Sequence, residues 1–301
     1  MKKKVALLLA LIMVFALFAA GCGSSDDGEG AEGDYAGTVK IGVFEPASGE
    51  NGAGGKQETL GIQYANKVQP TVDINGETYK VELVTADNES DNSKGITAAQ
   101  NLVSSGVSII LGSYGSAVSI AAGDVFKEAG MPALGVTCTN PLVTNGNPVY
   151  FRTCFLDATQ AKAMADYAAN ELSAQKVAVL YDITDDYSLG VAESFKAEAE
   201  ANGLEVVAFE SFQSTDTDFK SQLSKIAAAD PDALYVPSYY NTNALIAIQA
   251  KEVGLDAQLL GADGWDGVLS ALDENNKSAV EGVVFTNHFT ATDPDAKVQD
   301  F

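Results

Sequence analysis

The side chains that could do chemistry in this chain sit just past short apolar runs, and their types suit holding a small polar solute. Ile109-Ile110-Leu111 reads as a buried strand that turns through Gly112-Ser113-Tyr114-Gly115 into a helix capped by Ser116 and running toward Gly130. Gly112 and Gly115 allow a sharp turn and a close approach. A helix start offers unpaired N–H groups and the positive end of a dipole, which suits a carboxylate. Thr137-Cys138-Thr139 follows the next apolar run, Tyr187 a third, Tyr239 and Tyr240 a fourth, and Asp263 a fifth. Residues beyond the carboxyl ends of parallel strands line the crevice of such sheets, so these groups are expected to converge. Bond-breaking chemistry finds little here. There is one histidine, His288, with no Gly-x-Ser-x-Gly elbow, Walker loop or Cys/His cluster. Asp87-Asn88-Glu89-Ser90-Asp91 lacks the Gly and terminal Glu of a calcium loop and reads as a solvated turn. The expectation is a binding protein with no catalytic residues, no metal and no cofactor.

The elements that must position these groups alternate. Strands are expected at 39–43, 79–84, 109–111 and 131–136, with helices at 58–68, 92–105 and from Ser116. Asn75-Gly76 should be a hairpin-like turn ahead of the second strand. The pattern restarts with a helix at 160–173. Strands follow at 176–181, 204–209, 233–236, 258–261 and 283–285, and helices at 189–202, 219–229 and 243–253. Repeated βαβ units favour parallel sheets with right-handed crossovers. The fold class is α/β, with two Rossmann-like lobes and a hinge between them. Lobe 1 should span 37–154 and lobe 2 span 155–286, with 287–301 crossing back toward lobe 1. Asp293 and Pro294 suit an N-cap and a first helical position, so the chain reads as ending early in a helix, truncated at its C-terminus.

Charge and the N-terminus bound the setting. The formal net charge of −23 over 301 residues repels nucleic acid. Lys2-Lys3-Lys4, an apolar run from Val5 to Phe18 and the small residues Ala19-Ala20-Gly21 form a signal peptide over 1–21, too short for a permanent span. Cys22 directly after them resembles a bacterial lipobox, which implies lipidation of its sulfur. Residues 22–36, rich in Gly, Ser and acid, read as a flexible tether. Cys138 and Cys154 flank a loop that could fold back on itself, leaving two readings open, a disulfide or two buried thiols.

Beyond single residues, the chain resembles the type I periplasmic-binding-protein family, specifically the leucine/isoleucine/valine-binding proteins that feed ABC transporters. The resemblance rests on Pro46-Ala47-Ser48-Gly49 with Gly55 and Gly61, on Gly112-Ser113-Tyr114-Gly115-Ser116, on Thr137-Cys138-Thr139-Asn140-Pro141, on Phe151-Arg152-Thr153 and on Gly261-Ala262-Asp263-Gly264, in that order. It implies that Ser116, beside Tyr114 and Gly115, holds a ligand carboxylate. Thr137, Cys138 and Thr139 would supply the next loop. Asp263 would pair with the ligand ammonium, and Tyr187 and Tyr239 would close the second lobe. From their residue types, Tyr114, Tyr187 and Trp265 are expected to form an apolar or aromatic subsite. The implied partners are an amino acid, branched-chain-like or related, and a transporter permease, with membrane attachment through Cys22 outside the cytoplasm. A sensor domain of the same fold, signalling to a membrane partner, is the alternative.

Overall fold

The computed structural model describes residues 35–300. The leader, Cys22, most of the tether and Phe301 lie outside the described residues. Two sheets organise the rest. The first has the order β2-β3-β1-β4-β5-β6, from β1 (Gly37–Glu45), β2 (Thr71–Ile74), β3 (Glu77–Asp87), β4 (Ile109–Leu111), β5 (Ala133–Gly135) and β6 (Tyr150–Arg152). The second has the order β11-β10-β9-β7-β8, from β7 (Lys176–Asp182), β8 (Glu205–Phe212), β9 (Ala233–Val236), β10 (Gln258–Gly261) and β11 (Val284–Phe285). All pairings are parallel except the β2–β3 hairpin, which turns at Asn75-Gly76 with both φ angles positive. That turn matches its expectation, because Asn-Gly tolerates φ > 0 at both central positions.

Alternation along the buried strands shows why the second sheet needs helices on both faces. Val177, Val179 and Tyr181 of β7 join one apolar cluster, and Ala178 and Leu180 join the other. Ala233 and Tyr235 of β9 split from Leu234 and Val236 in the same way. Helices α4 (Asp157–Asn170) and α5 (Asp186–Ala201) bring Met164, Val191 and Phe195 to the first face. Helices α6 (Lys220–Ala228) and α7 (Tyr240–Glu252) bring Leu223, Ile226 and Ile246 to the second. At roughly 25 cal/mol per Å² of apolar surface, these two layers are the main driving force for the lobe. In the first lobe, α2 (Asn92–Ser104) and α3 (Ser116–Ala129) pack Leu102, Val118 and Phe126 on Phe44 and Ile110. Asp91 caps α2 by accepting from the N–H groups of Ser93 and Lys94, each at 2.9 Å.

Three local expectations are corrected. Helix α1 runs Gly52–Val68 and so starts six residues before Glu58. Gly115, not Ser116, occupies the N-cap of α3, and Ser116 is its first helical residue. The acidic turn after β3 is not simply solvated. Asn88 is fully buried and donates to Ser113 Oγ at 2.9 Å, while Asp87 accepts from Ala47 N and Ser48 Oγ. This turn therefore ties the loop after β1 to the loop after β4. A short helix α8 (Ala296–Asp300) follows Asp293 and Pro294.

Candidate functional site

The carboxyl ends of β1, β4 and β5 in one sheet and of β7, β9, β10 and β11 in the other feed loops that meet around a cavity of about 460 Å³. Of the nine residues expected at the site, Tyr114, Ser116, Thr137, Tyr187, Tyr239 and Asp263 line this cavity. Gly115 lines an adjoining cavity on the other side of the α3 N-terminus. Cys138 and Thr139 are fully buried behind the wall. Thr139 stays connected to the cavity indirectly: Gln160 Nε2 lies 3.5 Å from Thr139 Oγ1, and Gln160 Oε1 accepts from Asp263 N at 3.1 Å.

On the first wall, Gly112 has a positive φ of 118°, and a Cβ there would fall 2.2 Å from the Phe44 carbonyl oxygen, so only glycine fits. Gly115 has ordinary extended geometry and is not constrained in that way. The Ser116 Oγ accepts from Asn140 N at 3.2 Å, which leaves its hydroxyl hydrogen free to donate. The Ser116 N–H faces the Tyr239 hydroxyl across the lobes. The rings of Tyr114, Tyr239 and Tyr187 form a continuous series, 5.9 Å and 5.0 Å between centroids, that joins the two walls.

On the second wall, Asp263 opens a short 3₁₀ turn, Asp263–Trp265, directly after β10. Its Oδ1 accepts from the Tyr187 hydroxyl at 2.6 Å, and its Oδ2 lies 3.0 Å from His288 Nε2. The Tyr187 oxygen in turn accepts from Gly264 N at 2.9 Å. A Cβ at Gly264 would crowd the Ser238 carbonyl at 2.5 Å, so the turn can sit this close only with glycine. Tyr187 belongs to the first turn of α5 rather than to a loop, and burial pushes its phenol well above the usual range, with the Asp263 charge adding to the effect.

Trp265 does not form an aromatic subsite. It is fully buried in the second-lobe core, packs over Gly261 and donates its Nε1–H to the Val236 carbonyl at 2.7 Å. The disulfide reading is likewise not realised, since both cysteines are free thiols. The Cys138 sulfur is packed against Gly135, and the Cys154 thiol points to the Cys138 carbonyl, 3.5 Å away, rather than to its sulfur. Burial pushes the two thiols to about 12 and about 11.

Lining residues not expected at the site from the sequence include Glu58, His288 and Phe289, while Tyr240, grouped there with Tyr239, lines it as well. Glu58 comes from α1 and accepts a short hydrogen bond from Thr137 Oγ1. Tyr240 starts α7. His288 stacks on Phe155 at 4.3 Å, and Phe289 follows it. Glu45, at the end of β1, lies beneath them and accepts from Tyr114 N at 2.8 Å. Polar atoms just past strand ends were the available signal. They were missed where β1 ran two residues longer than its apolar core, and where α1 began inside a glycine-rich stretch. Among the described residues no cluster of His, Cys, Asp and Glu could hold a metal ion.

The arrangement offers hydrogen-bond donors at Ser116 and acceptors at Asp263 and Glu58 in one enclosed space, as a dipolar solute requires. Comparison with known proteins places it. Residues 38–301 match the periplasmic binding protein family. Leu/Ile/Val-binding protein homolog 3 of Brucella melitensis is 32% identical over 263 residues, covering 86% of this chain and 70% of that protein. The crystal structure of the leucine binding protein LivK from Thermotoga maritima superposes with a TM-score of 0.79 at 35% identity, covering 86% of this chain and 73% of that one. The branched-chain amino acid transporter substrate binding protein LivJ from Streptococcus pneumoniae, in complex with isoleucine, gives a TM-score of 0.70 at 34% identity, covering 78% of this chain and 67% of that one. The chain belongs to the type I periplasmic binding protein family, among its Leu/Ile/Val-binding-like members.

Proposed function

We propose that this chain is the extracytoplasmic solute-binding component of an ABC importer and holds an amino acid of the branched-chain class between its lobes. The observation that carries the reading is the pairing, in one cavity, of the Ser116 donor site at the start of α3 with the Asp263 carboxylate on the facing wall. The Ser116 hydroxyl and the Tyr239 phenol would donate to the ligand carboxylate, and Asp263 would face its ammonium. Charge-assisted bonds of this kind contribute roughly 1.5–3 kcal/mol each. Binding would select a closed arrangement of a first lobe over 37–154 and a second over 155–286, moving about a hinge. Cys22, as a lipidated residue, would hold the protein at the membrane surface near its permease. The relatives' ligands, isoleucine and leucine by name, support the ligand class.

A thermal-shift screen of the amino acids, followed by calorimetric titration, tests this. Leucine, isoleucine or valine at 100 times its dissociation constant should stabilise the protein by about 2.7 kcal/mol. Asp263→Asn should weaken that binding with the fold intact. A screen in which no amino acid shifts the melting temperature would sink the reading. For the anchor, Cys22→Ala should release the protein from the membrane fraction.

A further inference from the structure

Asp263 is heavily engaged within its own wall, because Tyr187 and His288 each occupy one of its oxygens. Glu58 faces it across the cavity, close enough that the Asp263 and His288 charges both act on it. One Glu58 oxygen accepts from Thr137 Oγ1. The other, Oε2, is sealed from solvent and has no donor among the ordinary side chains and backbone N–H groups around it. The same holds for Oε1 of Glu45, a residue only 3% exposed, whose Oε2 accepts from Tyr114 N.

The two carboxyl groups lie close enough to act on each other, and one proton shared between them would satisfy both orphaned oxygens. Glu45 is its natural holder. Burial pushes Glu45 up, and the neighbouring Glu58 charge and hydrogen bond push it further. Burial also raises Glu58 and the Asp263 charge adds to the rise, but the bonds from Glu45 and Thr137 and the facing His288 favour its charged form, so Glu58 is raised less than Glu45. The pair therefore carries one negative charge, on the member that reaches the cavity. Thr137 has its hydrogen committed to Glu58, so it shows the cavity only lone pairs. Ser116 has the opposite polarity, since its oxygen already accepts from Asn140 N.

We infer that Glu58, seated on Glu45 and bonded to Thr137, is a second acidic contact for the ammonium group of the ligand, opposite Asp263. This inference rests on the amino-acid-binding function proposed above. The charged and titratable groups that face Glu58 are Glu45 from β1, Tyr114 from the loop after β4, Cys138 and Cys154 from the loops after β5 and β6, Asp263 after β10 and His288 after β11. Glu45 is a positioning residue. A neutral carboxyl at that place keeps Glu58 ionised and aimed at the cavity.

The test titrates the full chain with L-leucine and with 4-methylpentanoate, the same molecule without its amino group. The wild-type protein answers the functional question first, because absence of leucine binding there counts against the proposed function itself. Given wild-type binding, Glu58→Gln should weaken leucine about tenfold or more and leave 4-methylpentanoate within about twofold, collapsing the preference between them. Thr137→Val, which removes the hydroxyl that donates to Glu58 and shows its lone pairs to the cavity without changing the size of the side chain, should act in the same direction. Glu45→Leu should also weaken leucine, and Glu45→Gln should restore it, since the amide oxygen can accept from Tyr114 N while the amide N–H donates to Glu58. Unchanged leucine affinity in Glu58→Gln overturns the inference. So does an equal loss for both ligands in Glu58→Gln and Thr137→Val, which would mark a purely structural role.

Discussion

Asp157 shows how far burial alone can move a single acid in this protein. It opens α4, is 1% exposed and neither of its oxygens has a hydrogen-bond donor at good geometry. Burial pushes it to about 7, and the Asp263 charge adds to the rise, while neighbouring Thr139 and Gln160 hold it back. An unfolded aspartate titrates near 3.9, so the folded chain takes up a proton over the interval between. The stabilising contribution of a raised acid is complete below the unfolded value and is lost as pH climbs through about 7. Asp157→Asn is neutral throughout and removes that slope. Its melting temperature should exceed the parent's at pH 8, by the equivalent of roughly 1–4 kcal/mol, and match it at pH 4. A parallel pH dependence in the two proteins would show that Asp157 titrates normally. Asn88 makes a simpler case. It is fully buried with its amide on Ser113 Oγ, so Asn88→Ala should cost about 1–3 kcal/mol in urea unfolding, by orphaning that hydroxyl and the turn it supports.

At the level of elements, the start of α7 and the loop before α1 form one direct hydrogen-bonded link between the lobes. The Glu50 carbonyl accepts from the Tyr240 hydroxyl at 3.1 Å and from Asn241 Nδ2 at 2.7 Å, and the Tyr240 oxygen accepts from Ala53 N at 3.2 Å. Tyr240→Phe deletes two of these bonds, each worth about 1 kcal/mol net. Since they exist only when the lobes touch, the variant should release ligand faster, with little change in association rate, in stopped-flow measurements. Equal dissociation rates would mean the link is incidental. These same elements show which features could be read from sequence. Strands β7 and β9 declared themselves through continuous apolar runs, and Ser116 and Asp263 through their places after strands. The start of α1 did not, because Gly52, Gly54 and Gly55 are poor helix formers and read as a loop. Packing overrides that propensity. A Cβ at Gly54 would strike the Tyr114 ring at 2.4 Å, and one at Gly55 would strike Pro46 at 2.3 Å. With the helix start misplaced, Glu58 appeared to lie at a helix terminus instead of on a cavity-facing second turn. Trp265 was misread for the opposite reason, since a lone tryptophan beside a site residue says nothing of which side of the turn it takes.

For the whole molecule, the net charge of −23 is not spread evenly where the lobes meet. Glu50 and Asp91 from one lobe and Asp182 and Asp185 from the other line a second cavity of about 410 Å³. Burial pushes Asp185 to about 7, with Asp182, Asp186 and Glu50 raising it further. Burial also raises Glu50, a hydrogen bond from Thr242 pulls it down, and Asp182 pushes it up again. Bringing the lobes together therefore works against their own acids, and each deprotonation as pH rises adds to that opposition. Glu50 sits at the exposed rim, so solvent screens much of its share. Glu50→Gln keeps the backbone carbonyl that Tyr240 and Asn241 use but removes the charge. The expected result at pH 8 and low salt is ligand binding tighter than wild type by about two- to threefold, with the difference shrinking near 0.15 M salt, where the screening length falls to about 8 Å. Calorimetric titrations at two salt concentrations decide it. Weaker binding in the variant would show instead that the Glu50 carboxylate stabilises the start of α7 more than it repels Asp182 and Asp185.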